Sequence, residues 1–283
     1  MLGCTPGVHT VPKHPQPIGE NGSDVMRLKT LHNALFGAVL ATLLPGGCAF
    51  AWSFAVTGDS HDDRSGLFSR VLLAVDGSDM EFLVHVGDIT EQNKAEEWKR
   101  FRKAVTSLRK PLHPVIGNRD RIGKGAEARF ARRFGLPGTS YSFDHNDAHF
   151  AVLDNAGLSL EEKTLAWLDR DLAAHPKGEN GTAFLFVAMH IPPVTGEIRP
   201  HGTRPGYEER SRKLLRILKK HRVDAVLAGH EHMNLAEDWD GILVVVTGIE
   251  RIPFLPFQRT GFYRIDLEDG KVRETFVRVD AAP

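Results

Sequence analysis

Along residues 52–283, short apolar runs alternate with longer stretches of helical spacing. Trp52–Thr57, Glu81–Val86, Leu112–Ile116, Ala183–Met189 and Val223–Ala228 have the length and composition of strands. Leu67–Val75, Lys94–Leu108 and Tyr207–His221 repeat as helices do, and in the second of these Trp98, Phe101, Val105 and Leu108 share one face. Tyr141–Phe143 and His149–Leu153 alternate like a hairpin across Asp144-His145-Asn146-Asp147. Ser159-Leu160-Glu161-Glu162 reads as a capping box opening a helix to about Ala174. The last runs, Ile242–Thr247, Gly261–Leu267 and Val272–Val279, have no helix between them. The alternation predicts an α/β fold with a mainly parallel sheet covered by helices, and the closing run of strands predicts a second sheet. No repeat or linker divides 52–283, so it is expected to be one domain, large enough for a real core.

The first fifty residues follow another pattern. Residues 1–25 are rich in Pro and Gly without periodicity, as in a disordered leader or a start assigned too far upstream. From Met26, basic Arg27 and Lys29 precede a mostly apolar stretch, Ala34 to Leu44, then Pro45-Gly46-Gly47 and the small-x-small Ala49-Phe50-Ala51. That order predicts a signal peptide over 26–51 and export to a periplasmic or secreted location. The apolar stretch is short of the roughly 20 residues that span a bilayer, so no transmembrane segment is expected in the mature chain. Lipoprotein anchoring at Cys48 fits less well, because Pro45 disturbs the lipobox.

Apolar residues make up 41% and charged residues 25%, which excludes a disordered tail or a collagen-like repeat. Lys+Arg and Asp+Glu both total 36, which argues against a nucleic-acid scaffold binder with a broad basic face. A small anionic substrate remains compatible. With only Cys4 and Cys48, neither a disulfide framework nor a Cys-rich zinc site is possible, and any metal must use His, Asp, Glu or Asn.

Five predicted strands end in polar groups, usually just after a glycine: Asp59-Ser60-His61, Asp88, Asn118-Arg119-Asp120, His190 and His230-Glu231-His232. In an open α/β sheet the carboxyl ends of the strands form the ligand crevice, so these groups should converge. The candidate ligands are Asp59, His61, Asp88, Asn118, His190, His230 and His232. Seven ligands exceed the needs of a mononuclear zinc site. They suit two divalent transition metal ions (Mn, Fe, Zn or Ni) sharing a carboxylate, an arrangement that can activate water and hold both oxygens of an in-line phosphoryl displacement.

The order Asp-x-His, Gly-Asp, Gly-Asn-x-Asp, His, Gly-His-x-His resembles the calcineurin-like metallophosphoesterases over nearly all of 52–283. The resemblance implies a four-layer αββα sandwich with two mixed β-sheets. It implies that Asp59, His61 and His232 hold one metal, that Asn118, His190 and His230 hold the other, and that Asp88 bridges them. The implied reaction is in-line attack on a small phosphorylated substrate, a monoester, diester or phosphoanhydride, by a hydroxide held between the metals.

Two positions depart from the family pattern. The third block usually carries a histidine where Arg119 stands. An arginine there resembles the branch that cleaves a UDP-linked diacylglucosamine, which leaves a lipid- or nucleotide-linked pyrophosphate hydrolase as an alternative. Arg119 stays protonated, so it is expected to clamp phosphate rather than donate a proton, with Asp120 orienting it. Glu91 stands where purple acid phosphatases place a tyrosine, which excludes their charge-transfer iron site. A non-catalytic binding protein on the same fold is a further alternative, but all seven ligands are present. His85 is expected to face the core, and His113, His145, His149, His175 and His221 to lie on surfaces or turns. In the long loop after His190, Arg199, His201 and Arg204 are candidates for neutralising substrate charge.

Overall fold

The computed structural model describes residues 51–249 and 260–279. The expected leader 1–25 and all but the last residue of the expected signal peptide, Cys48 included, lie outside them. Five parallel-type strands carry the plan: β1 (Trp52–Thr57), β2 (Leu83–His85), β3 (Leu112–Pro114), β6 (Phe184–Met189) and β7 (Ala225–Ala228). A hairpin, β4 (Tyr141–His145) and β5 (Ala148–Leu153), precedes β6, and four strands follow β7: β8 (Leu235–Trp239), β9 (Ile242–Val246), β10 (Gly261–Glu268) and β11 (Lys271–Arg278). The helices are α1 (Leu67–Asp76), α2 (Ala95–Val105), α3 (Ala126–Phe134), α4 (Glu162–Ala174) and α5 (Tyr207–His221).

Two mixed sheets result, in the orders β11-β10-β1-β2-β3 and β4-β5-β6-β7-β9-β8. The closing strands do not make the second sheet. β10 pairs antiparallel with β1 and returns the chain to the first sheet, while the β8–β9 hairpin extends the second. Adding β10 and β11 covers the open edge of β1, whose backbone groups must pair somewhere.

Alternation along the strands sorts side chains into three cores. Phe54, Val56, Phe82, Phe150 and Phe186 meet between the sheets, with the Phe54 and Phe186 rings edge to face at 5.3 Å. Ala55 and Leu83 point the other way, into a core with Phe68, Trp98, Phe101 and Phe130 of α1, α2 and α3. Leu185 and Val187 of β6 pack with Leu165 and Leu168 of α4 and Leu214 and Leu218 of α5. This gives the four-layer αββα sandwich, and strands buried on both faces explain the continuous apolar runs.

Local differences have simple causes. α4 begins at Glu162 with Glu161 as N-cap and no side-chain cap, so Ser159 closes no capping box. α3 is short, with four charged residues among its nine, set off by left-handed Gly125 and Gly135. β8 (LAEDW) is a half-buried edge strand whose apolar pattern is weak.

Candidate metal centre

The parallel strands β1, β2 and β3 of one sheet, and β6 and β7 of the other, direct their carboxyl ends to a single rim. Short cross-links fix that rim. Asp59 N–H donates to Gly87 O at 2.9 Å, Gly229 N–H to His190 O at 2.8 Å, and His230 N–H to the Asp59 carboxylate at 3.0 Å. Gly117 lies so close to Asp88 that a side chain there would collide with the carboxylate and its backbone. Five of the seven candidate ligands, Asp59, His61, Asp88, His230 and His232, sit at positive φ between 43° and 72°. Such strain in non-glycine residues persists only where surrounding structure imposes it, and it gathers at functional sites.

All seven converge, in two groups joined by Asp88. Asp59, His61, Asp88 and His232 each offer a donor atom, and these atoms lie within 4.8 Å of one another. On the other side, Asn118 Oδ1 is 2.9 Å from His190 Nε2 and 3.0 Å from His230 Nδ1. Asp88 faces both: its Oδ1 is 3.3 Å from His190 Nε2 and its Oδ2 is 3.9 Å from His61 Nε2.

Hydrogen bonds behind the rings decide which nitrogens are available. His190 Nδ1 donates to Val86 O at 2.8 Å, and His230 Nε2 donates to His201 O at 3.1 Å. A carbonyl only accepts, so these nitrogens carry the protons and the opposite ones face inward. His61 Nδ1 meets Glu91 Oε2 in the same way. Holding the outer nitrogen on an acceptor is how proteins orient histidine ligands. Burial pushes His230 down to about 3, so its ring is neutral. Its Nδ1 lone pair therefore faces the Asn118 carbonyl oxygen, an acceptor against an acceptor, which a cation between them resolves.

Charge points the same way. Burial, with Asp88 beside it, raises the Asp59 pKa. Burial opposes charge on both Asp88 and His190, yet their mutual attraction lowers the carboxylate and raises the imidazole. The buried cluster thus retains protons that divalent cations would replace. The donor set fits such ions.

The rim differs from expectation at Asp120. Asp120 is fully buried, and its carboxylate accepts from the N–H groups of Ile89, Thr90 and Gly117 and from Thr90 Oγ1. It clasps two ligand-bearing loops together and does not orient Arg119. Glu91 does that, pairing with Arg119 Nη1 through one oxygen and His61 through the other. Asn155 was also outside the sequence reading. Its Oδ1 accepts from His190 N–H and Ile191 N–H at 3.1 Å, which fixes the turn that carries His190. It follows β5 just as the expected ligands follow their strands, so the same positional signal marks it. His85 is buried as expected, with its pKa lowered to about 3 by burial. His149, expected on a surface, is instead 1% exposed between two carboxylates.

A four-layer sandwich with a His/Asp/Asn rim at the strand ends defines a metal-dependent hydrolase. The family model for calcineurin-like phosphoesterases matches residues 53–234, and the chain belongs to that family. It is a metal-dependent phosphoric ester hydrolase, of a family that acts on small phosphorylated substrates and typically uses a dinuclear metal site. It is 24% identical, over 76% of its length and 81% of the relative's, to the 3',5'-cyclic adenosine monophosphate phosphodiesterase CpdA of Haemophilus influenzae. It is 27% identical to the probable glycerophosphodiester phosphodiesterase GpdQ of Arcobacter nitrofigilis, over 58% of this chain and 61% of that one. A dimetal phosphatase from Danio rerio shares the fold with a TM-score of 0.58 at 15% identity, covering 81% of this chain and 99% of that chain. Among the described residues no helix is long and apolar enough to cross a membrane.

Proposed function

We propose that the protein is an exported two-metal phosphodiesterase. The observation that carries the two-metal reading is Asp88, one buried carboxylate whose oxygens address two separate donor sets. Asp59, His61 and His232 would hold one divalent transition metal ion with Asp88, and Asn118, His190 and His230 would hold the other. Two such ions, when bound, lower the pKa of water toward neutrality and polarise phosphate oxygens.

The chain's own side chains do the remaining work. Glu91 holds Arg119 at the rim, where the guanidinium grips substrate phosphate through charge-assisted hydrogen bonds. Arg119 stands where the family usually carries a histidine, so the rim lacks that histidine as a proton donor to the leaving group, which favours groups that depart as stable anions, such as aryl or phosphoanhydride groups. A cavity of about 490 Å³ beside His61 and Glu91, lined also by Ser60, Arg64, Ser65, Leu67 and Ile249, suits a compact organic group with both polar and apolar parts. Two of the relatives' names, a cyclic nucleotide and a glycerophosphodiester phosphodiesterase, support diesters, while a third, a purple acid phosphatase, is named for monoester chemistry. Arg119 is the one feature that favours the second reading, a nucleotide- or lipid-linked pyrophosphate hydrolase.

Export rests on the ordered basic, apolar and small-residue regions of 26–51. N-terminal sequencing of the protein from its host should find a start near Trp52, and an intact 1–51 segment on cytoplasmic protein would refute export. The reaction is tested with Mn²⁺-loaded enzyme on bis-(p-nitrophenyl) phosphate, p-nitrophenyl phosphate and a nucleotide-linked pyrophosphate. The diester should turn over fastest. Preference for the monoester would overturn the diester reading, and preference for the pyrophosphate would install the second.

A further inference from the structure

We propose that Glu231 is a positioning residue for the second metal subsite, tying the loop over residues 191–206 to His230. The inference rests on the reading of His230 as a ligand. Glu231 stands between two candidate ligands in sequence, yet its carboxylate serves the loop. Its Oε1 accepts from both the backbone N–H and Nδ1 of His201, each at 3.1 Å. His201 closes the circuit. Its carbonyl oxygen accepts from His230 Nε2 at 3.1 Å, and its ring lies parallel on the His230 ring with centroids 4.2 Å apart.

The chemistry turns on what holds a histidine ligand's outer nitrogen. For His190 the acceptor is Val86 O, set by the end of β2 and therefore rigid. For His230 the acceptor is a carbonyl in a long Pro- and Gly-rich loop that is tied down at Val194 N–H to Ser211 Oγ, at buried Ile198 and at Arg204 N–H to Leu158 O, ties that leave the place of His201 itself to be set. Glu231, 14% exposed, supplies that place by holding His201 at two donors. The same Oε1 stands 3.9 Å from His230 Nε2, near enough to favour the proton on that nitrogen and the lone pair on Nδ1. Glu231 thus acts on the metal through a loop rather than by touching it.

The experiment is calorimetric Mn²⁺ titration of the full-length protein and of His230→Ala, Glu231→Ala, Glu231→Gln and His201→Ala, with thermal melts of each in chelator. Wild type should bind two ions and His230→Ala one. Glu231→Ala should bind one ion normally and the other about 10–100-fold more weakly, the usual cost of losing an outer-shell partner. The loss should fall on one ion alone, which a merely structural role, weakening both alike or neither, would not predict. Glu231→Gln keeps an acceptor oxygen and should recover most of the loss. His201→Ala removes only the ring and should weaken the same ion by less, giving an independent reading should Glu231→Ala fail to fold. Wild-type affinity for both ions in the Glu231 and His201 variants, or equal weakening of both ions, overturns the proposal while leaving the ligand assignment standing. Two tightly bound ions in His230→Ala would instead refute that assignment, and the role of Glu231 with it.

Discussion

Two clusters of histidine and aspartate in this molecule contain the same residue types and differ in what they can hold. At the rim, each of His61, His190 and His230 gives one nitrogen to a fixed acceptor and turns the other inward. On the outer face of the second sheet, His149 Nδ1 meets Asp144 Oδ1 at 2.6 Å and Nε2 meets Asp171 Oδ2 at 2.9 Å. Both His149 nitrogens face carboxylates, which only accept, so both carry protons. Burial opposes that charge, but the hydrogen bonds to Asp171 and Asp144 raise the His149 pKa. His175 stacks on the ring at 3.7 Å and gives its Nδ1 proton to Asp171 O. The His149 cluster is completed by a proton between fixed partners, whereas at the rim the inward nitrogens meet shared donors, and the proton held between Asp88 and His190 is one a cation would displace. Composition and proximity alone do not make a metal site. The hydrogen bonds behind the ring decide whether a lone pair is left.

The largest expected effect is at Asp88. In Asp88→Ala, turnover should fall below detection and bound Mn²⁺ should drop from two ions to none, measured by elemental analysis after desalting. His61→Ala and His190→Ala should each lose one ion. Full occupancy and turnover in Asp88→Ala would erase the distinction between the two clusters.

Arg119 comes next. Rates across a series of leaving-group pKa values should slope steeply in wild type, because no general acid replaces the roughly 10²–10⁴-fold that one supplies. Arg119→His should flatten the slope. Glu91→Gln should raise KM as Arg119→Ala does and weaken the ion at His61 by about 10–100-fold. Asp120→Asn should leave the slope alone and lower the melting temperature, because its partners are backbone N–H groups and not Arg119.

Most of the rim was legible because it is written as position. A polar residue following an apolar strand, five times over, needs no knowledge of contacts. The outer partners were not legible in the same way. Glu91 and Glu231 look like solvated charges in sequence, and only the fold shows that one reaches His61 and Arg119 and the other reaches across to His201. Asp120 was misjudged because adjacency to Arg119 suggested contact, while the turn points its carboxylate inward, at three backbone donors. The expectation that the closing strands form the second sheet failed for a related reason. The runs at 261–279 announce strands, but pairing with β1, some two hundred residues upstream, depends on an open edge that local pattern cannot reveal.

Smaller effects separate the clusters by pH. His149 has a raised folded pKa, so its contribution to stability is full below the unfolded value of about 6.5 and is lost as pH rises through the folded value. His85 runs the other way. Its folded pKa is about 3, so its contribution is present above about 6.5 and fades as pH falls toward 3. His149→Ala should cost about 1–3 kcal/mol near pH 6, less at pH 9, and leave metal content at two ions, read by urea melts and elemental analysis. A lost ion in that variant would mean the cluster binds metal after all.

The central claim is that the rim, and not the His149 cluster, holds two ions sharing Asp88. Anomalous diffraction at the manganese edge from Mn²⁺-soaked crystals of the protein tests it directly. The account predicts two peaks, one among Asp59, His61, Asp88 and His232 and one among Asp88, Asn118, His190 and His230, with none beside His149. A single peak at the rim, no peak there, or a peak between His149 and Asp171 would contradict it.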